Sequence, residues 1–229
     1  YLDAPQVFGT GLDSAGVVYH QVGQKFWLDR LFWSSNPVEM VGQGMGVWGE
    51  DLNLDFGGTI SQPEHLWTEA FLKIVGGPIQ VGGRVRGPWG QPKVEAQFEA
   101  ESLVVDDIPL MGVRVQTGWP VLIGRGLSAK VDSLKWAGRT LRGVYVDANR
   151  QDQVFHFFGG NESKGEERIF LWGRATEEAG GHEVVLDSVH IQVAQVALSN
   201  QGKVRFRLPA EQGLLIEHLD LAGPAGKIW

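Results

Sequence analysis

SLVVDDIPLMGVRV, residues 102–115, returns thirty-one residues later as SLKWAGRTLRGVYV, residues 133–146, with no gap in the alignment. Ser102 and Ser133, Leu103 and Leu134, Leu110 and Leu141, Gly112 and Gly143, Val113 and Val144, and Val115 and Val146 coincide. Such an echo makes a repeat architecture the first hypothesis, because a unit with one apolar face needs a neighbour to cover its ends. Chance identity between two apolar β segments is the alternative. A true repeat sets Leu103 and Leu134 at equivalent places on successive hairpins, and Gly112 and Gly143 at equivalent bends.

Working outward, alternation of apolar and polar residues is the dominant signal. Val94, Ala96, Phe98 and Ala100 alternate with Glu95, Gln97 and Glu99. Leu127, Ala129 and Val131 alternate with Ser128, Lys130 and Asp132. Val189, Ile191 and Val193 follow the same spacing, as do Val204, Phe206 and Leu208 around Arg205 and Arg207. Each run reads as a strand with one wet and one apolar face. Turn chemistry lies between them at 87–90, 106–107, 124–126, 159–161 and 179–181. The layout is that of an antiparallel meander.

One segment reads as helix. Ser61 and Glu64 have capping-box spacing, Pro63 sits in the first turn, and an apolar stripe runs from Leu66 to Val75 before Gly76-Gly77-Pro78. The spacing predicts a helix over about 63–75. It divides the chain into an amino-terminal β segment, 1–77, and a β segment over 78–229, with the two continuous. A difficulty follows: one short helix cannot cover the apolar faces of a dozen strands. The sheet must fold on itself, or something other than protein must cover it.

Composition narrows the function classes. A formal charge of −7 gives no cationic field for a phosphate backbone, so nucleic acid is not an expected partner. The absence of cysteine excludes disulfides and thiolate metal sites. No apolar run approaches the roughly eighteen residues of a membrane helix. The chain reads as a piece of something longer, whose anchoring segment would lie outside it. Nine tryptophans and eleven phenylalanines point to core, carbohydrate contact or lipid contact.

No catalytic constellation rises above background, so the chain reads as non-enzymatic. The six histidines lack metal-ligand spacing, and His182 and His190 frame a strand without a close third ligand. Neither metal nor cofactor is expected. Glu95, Glu99 and Glu101 fit the polar face of one strand better than a pair of carboxylates across a cleft. The glycines of GQGMGVWG, residues 42–49, fit a strand with close backbone approach better than a phosphate loop.

Some stretches resemble a known family. KFWLDRLFW (residues 25–33) followed by VEMVGQGMGVWGEDLNLDFGGTI (residues 38–60) is similar to the carboxy-terminal region of AsmA-like proteins. GGPIQVGGRVRGPWGQPKVEAQFEA, residues 76–100, resembles the junction of that family through Pro78, Ile79, Val81, Gly83, Gly87 and Pro92. From Val94 onward, SLVVDDIPLMGVRV and GLLIEHLDLAGPAGKIW resemble the repeats of TamB, in the same superfamily. The resemblance covers most of the chain and consists of glycine, leucine and alternation patterns.

The resemblance implies an all-β, taco-like open groove with an apolar interior, in the periplasm of a diderm bacterium. It implies a chain anchored in the inner membrane, with phospholipid acyl chains as cargo. Adjoining segments of the same longer chain and proteins of the inner and outer membranes would be its partners. Phospholipid transport between the membranes, or outer-membrane assembly, would be its task. Fifteen or so strands about 4.8 Å apart would span on the order of 70 Å. The candidate lining is the apolar half of each strand: Val94, Ala96, Phe98, Val113, Val115, Leu127, Val131, Val144, Val146, Val189, Ile191, Val193, Val204, Phe206, Leu208, Ile216 and Leu219. An ordinary protein core is the competing reading for each. A carbohydrate-binding or hydrolytic β-sandwich is the alternative for the whole chain. An outer-membrane barrel fits the alternation but not the expected helix.

Overall fold

The structure, a computed structural model, describes residues 6–7, 10–11, 13–65, 73–119, 126–136, 138–152, 154–162, 167–178, 181–193, 196–209, 215–223 and 226–228. The described chain is all-β and antiparallel. It divides into two compact units, 1–120 and 121–229. The 77/78 junction lies inside the first of them.

In the first unit, β1 (Gln6–Val7) and β2 (Thr10–Gly11) pair with each other. The main sheet holds β3 (Ser14–Val22), β4 (Lys25–Ser35), β5 (Val38–Val47), β6 (Asp51–Ile60), β7 (Ile74–Gly76), β8 (Ile79–Pro88), β9 (Lys93–Val105) and β10 (Ile108–Trp119). Pairing follows chain order from β3 to β6, then β6 with β8, β8 with β9, and β9 with β10. Among the described residues no ladder joins β3 to β10, so this sheet stays open.

The second unit contains β11 (Leu127–Trp136), β12 (Arg139–Gln151), β13 (Val154–Asn161), β14 (Arg168–Glu178), β15 (Gly181–Val193), β16 (Val196–Asn200), β17 (Val204–Pro209), β18 (Leu215–His218), β19 (Leu221–Gly223) and β20 (Gly226–Ile228). The meander is regular from β11 to β15 and then forks. Gly181–Leu186 of β15 pair with β17, whereas His190–Val193 pair with β16. Asn200 holds the fork together: its Oδ1 accepts from the Val189 backbone N–H at 2.9 Å, and its Nδ2 donates to the Asp187 carbonyl at 3.2 Å. A side-chain amide thereby supplies the bonds that β15 loses where it changes partner.

The thirty-one-residue echo is structural. β9 and β10 join through Asp106 and Asp107, both at positive φ (46° and 65°), as the tightest hairpin turns require. Leu103 pairs with Leu110 and Ala100 with Val113. In the second hairpin Leu134 pairs with Leu141 and Val131 with Val144. Gly112 and Gly143 lie at φ 62° and 61°, and neither has a partner in its ladder. Both glycines therefore occupy the same left-handed kink, which other residues adopt only under strain.

Two expectations need correction. Of the helix expected over 63–75, only a three-residue 3-10 turn, Pro63–His65, is present among the described residues. Ile74 and Val75 belong instead to β7 and pair with Val105 and Val104 of β9. Residues 66–72 lie outside those described. Ser61 does not cap a helix, because its hydroxyl donates to the Pro37 carbonyl at 3.1 Å. The second correction concerns 159–161, which continue β13 rather than turn. A Cβ on Gly159 would stand 2.9 Å from the Tyr145 carbonyl oxygen, and one on Gly160 2.7 Å from that of Ile169. These glycines serve close cross-strand approach, a use that turn glycines do not reveal in sequence.

Candidate functional site

The first unit's sheet separates its residues by face. Trp33, Met40, Gly58, Val81, Phe98 and Val115 form one cross-strand row from β4 to β10. Leu31, Gly42, Phe56, Gly83, Ala96 and Thr117 form the next, and Leu28, Gly44, Leu54, Val85, Val94 and Trp119 the one after. The expected lining residues Val94, Ala96, Phe98, Val113 and Val115 all lie on this face, because strict alternation and unshifted pairing of β8, β9 and β10 keep them together. The opposite face carries Glu95, Gln97 and Glu99, with Arg84 Nε bonded to Asp55 at 2.9 Å and Arg86 Nε to Asn53 at 3.2 Å.

The apolar face is unevenly covered. Val38, Ile60, Ile79, Ala100 and Val113 are buried at one end of the strands, and Phe26 at the other. Between them Met40, Phe56, Val81, Phe98, Ala96 and Val115 are only half-buried. Glycines keep this middle strip low. A Cβ on Gly83 would meet the Phe56 ring at 2.4 Å, one on Gly58 the Met40 sulfur at 2.5 Å, and one on Gly46 the Phe26 ring at 2.6 Å. Large side chains thus lie across neighbouring glycine backbones instead of standing off the sheet.

The second unit repeats the separation of faces. Leu127 lies opposite Ala148, Val131 opposite Val144 and Ala129 opposite Val146. Val146 leads through Gly159 and Leu171 to Val189. The face continues from Leu186 to Val204 and from Val184 to Phe206. Here, however, part of it is covered by protein. Val189, Val204 and Leu221 form a buried cluster, with Leu219, Ile191, Phe206, Leu171, Leu186 and Leu198 packed around them. Val204 is 1% exposed, so protein alone surrounds it. The side chains of Val193, Leu208 and Ile216 lie outside those described.

The number of buried side chains shows how little of the apolar surface protein covers. Among the described residues only twelve apolar side chains are buried, far fewer than a sandwich core between two full sheets supplies.

Two aromatic clusters stand apart from the middle strip, and neither is legible in the sequence. Phe26, Trp48 and Trp89 cluster at one end of the first unit, with ring centroids 4.7 Å apart for Phe26 and Trp48 and 5.2 Å for Trp48 and Trp89. Trp89 Nε1 donates to the Val47 carbonyl at 2.9 Å, joining the turn after β8 to the end of β5. In the second unit Phe158, Phe170 and Trp172 stand exposed on the face opposite the apolar one. Among the described residues no group of three His, Cys, Asp or Glu side chains could hold a metal ion. Among them too, no helix is long and apolar enough to cross a membrane. No family model matches the sequence, and no curated protein or solved structure matches it either.

Proposed function

We propose that the chain is a non-enzymatic lipid-binding segment, whose apolar sheet face in the first unit holds phospholipid acyl chains. The observation that carries the reading is the half-buried middle strip from Met40 to Val115, apolar across five strands and lowered by glycine. Leaving such a strip to water costs about 25 cal/mol for each square ångström that an acyl chain could cover. In the second unit the proposed path is confined to Leu127, Val131, Val144 and Val146, whereas Val189, Ile191, Val204, Phe206 and Leu219 serve as protein core. The resemblance to AsmA-like and TamB proteins supports the same reading. With it go a periplasmic setting, a place in a longer membrane-anchored chain, and movement of phospholipid between inner and outer membranes.

The test uses neighbouring positions on one strand. A photo-crosslinking amino acid is placed at Phe98, on the apolar face, or at Gln97, which faces the other way, in protein expressed in a diderm bacterium. Phospholipid attached at Phe98 and absent at Gln97 is the expected result. Equal labelling at both, or none at either, overturns the proposal.

A further inference from the structure

The exposed aromatics of the second unit form a pattern of their own. β14 presents Arg168, Phe170, Trp172 and Arg174 in alternation on the face opposite the apolar one. Phe158 of β13 stands directly across from Trp172, and Tyr145 of β12 meets Phe158 edge-on at 6.1 Å between centroids. Trp172 is 55% exposed and Phe158 45%. Gly160, opposite Phe170, makes room for the Tyr145 ring, whose hydroxyl oxygen would stand 3.2 Å from a Cβ there. A sheet face turned to water has no use for such a cluster, since polar side chains serve there equally well.

The charges at the cluster's ends indicate what meets it. Arg168 and Arg174 lie six residues apart, which in a strand is about 20 Å, so a guanidinium stands at each end of the aromatic row. Arg168 has no ion pair among the described residues, and Arg174 pairs at 3.9 Å with Asp187, which Lys203 shares at 3.6 Å. Lys130 and Glu162 close on each other at 2.7 Å and add no net charge. Asp147, opposite Phe158, is the acid nearest the rings in the ladder. Aromatic rings prefer the headgroup level of a bilayer, and flanking arginines there bind lipid phosphates bidentately.

We infer that this face of β12, β13 and β14 docks on the surface of a bilayer containing anionic phospholipid. The inference goes beyond the acyl-chain reading and uses the other face of the sheet. A single-stranded nucleic acid would also stack on exposed rings, but it carries a phosphate at every nucleotide and needs a cationic groove along its length, whereas a bilayer needs cations only at the rim of rings that enter the headgroup level.

The test is co-sedimentation of the whole chain with vesicles of phosphatidylcholine alone or mixed with phosphatidylglycerol. Wild type should pellet with the mixed vesicles and not with phosphatidylcholine alone. Arg168→Gln with Arg174→Gln should weaken that binding by roughly thirtyfold, near the contribution of two arginines at an anionic surface. Phe158→Ser with Trp172→Ser should abolish it, with the strand signature in circular dichroism unchanged. Because the arginine variant changes one exposed and one half-buried side chain and opens no cavity in the core, the test stands even where the aromatic variant fails to fold. Four results overturn the inference: wild type that ignores the mixed vesicles, an arginine variant that binds them undiminished, oligothymidylate binding in place of vesicle binding, or self-association that Trp172→Ser removes. Phospholipid crosslinked at Phe98 is measured separately, so loss of docking is distinguishable from loss of acyl-chain binding.

Discussion

Replacing Asn200 with alanine should destabilise the second unit more than its half-buried position suggests. The side chain satisfies the Val189 N–H and the Asp187 carbonyl at the point where β15 leaves β17 for β16. Val189 is 5% exposed, so its N–H would be left without water and would cost about 1–3 kcal/mol. Asp187 is exposed, and its carbonyl can turn to solvent, for a loss of about 0.5–1.5 kcal/mol. Together these give about 1.5–4.5 kcal/mol. With a urea slope of about 2 kcal/mol per molar, the unfolding midpoint of this unit should fall by about 1–2 M. Asn200→Asp, which keeps the acceptor for Val189 but loses the donor, should fall between alanine and wild type. A midpoint for Asn200→Ala within about 0.2 M of wild type would show that the fork does not depend on the amide.

Three further outcomes follow from the same geometry. Gly112→Val and Gly143→Val should each cost about 1–3 kcal/mol in a thermal or urea melt, because each forces a branched side chain to positive φ; an effect at one position without the other would mean that the two kinks are not equivalent. Trp89→Phe keeps a ring in the cluster but loses the bond to the Val47 carbonyl, so its melt should drop by about 0.5–1.5 kcal/mol, and Trp89→Ala by more. Val115→Asp with Val144→Asp places carboxylates at two half-buried positions and should remove co-purifying phospholipid while the cooperative melt survives. Val113→Asp, at a buried position, should unfold the first unit instead.

The strands and their faces were legible because period-two alternation is a local property and unshifted hairpins preserve it. Val94 to Ala100 needed nothing beyond their own spacing. The repeat was legible for the same reason, down to the paired glycines. The apolar pattern around Ile74 misled, because a stripe of six residues satisfies a helix period as readily as it flanks a short strand, and only the backbone of β9 decides between them. Gly159 and Gly160 were misplaced because a glycine lacking room for Cβ looks in sequence like one that must turn. The fork at Asn200 had no local signature at all. It assembles residues from β15, β16 and the turn after β16, and with them the enclosure of Val189 and Val204. The Phe158–Trp172 pair was equally hidden, since it depends on which residues of two strands stand opposite each other.

The matched hairpins at 94–119 and 127–151 have a consequence for how such a chain changes length. One thirty-one-residue block brings one outgoing and one returning strand, so a duplicated block hands the chain back in the direction and on the side where it was received. Within its own sheet each such pair of strands takes about 10 Å of width and restores the direction of the chain. A block with one strand would invert everything after it. Within either sheet, a change of one whole block therefore keeps the direction of every later strand.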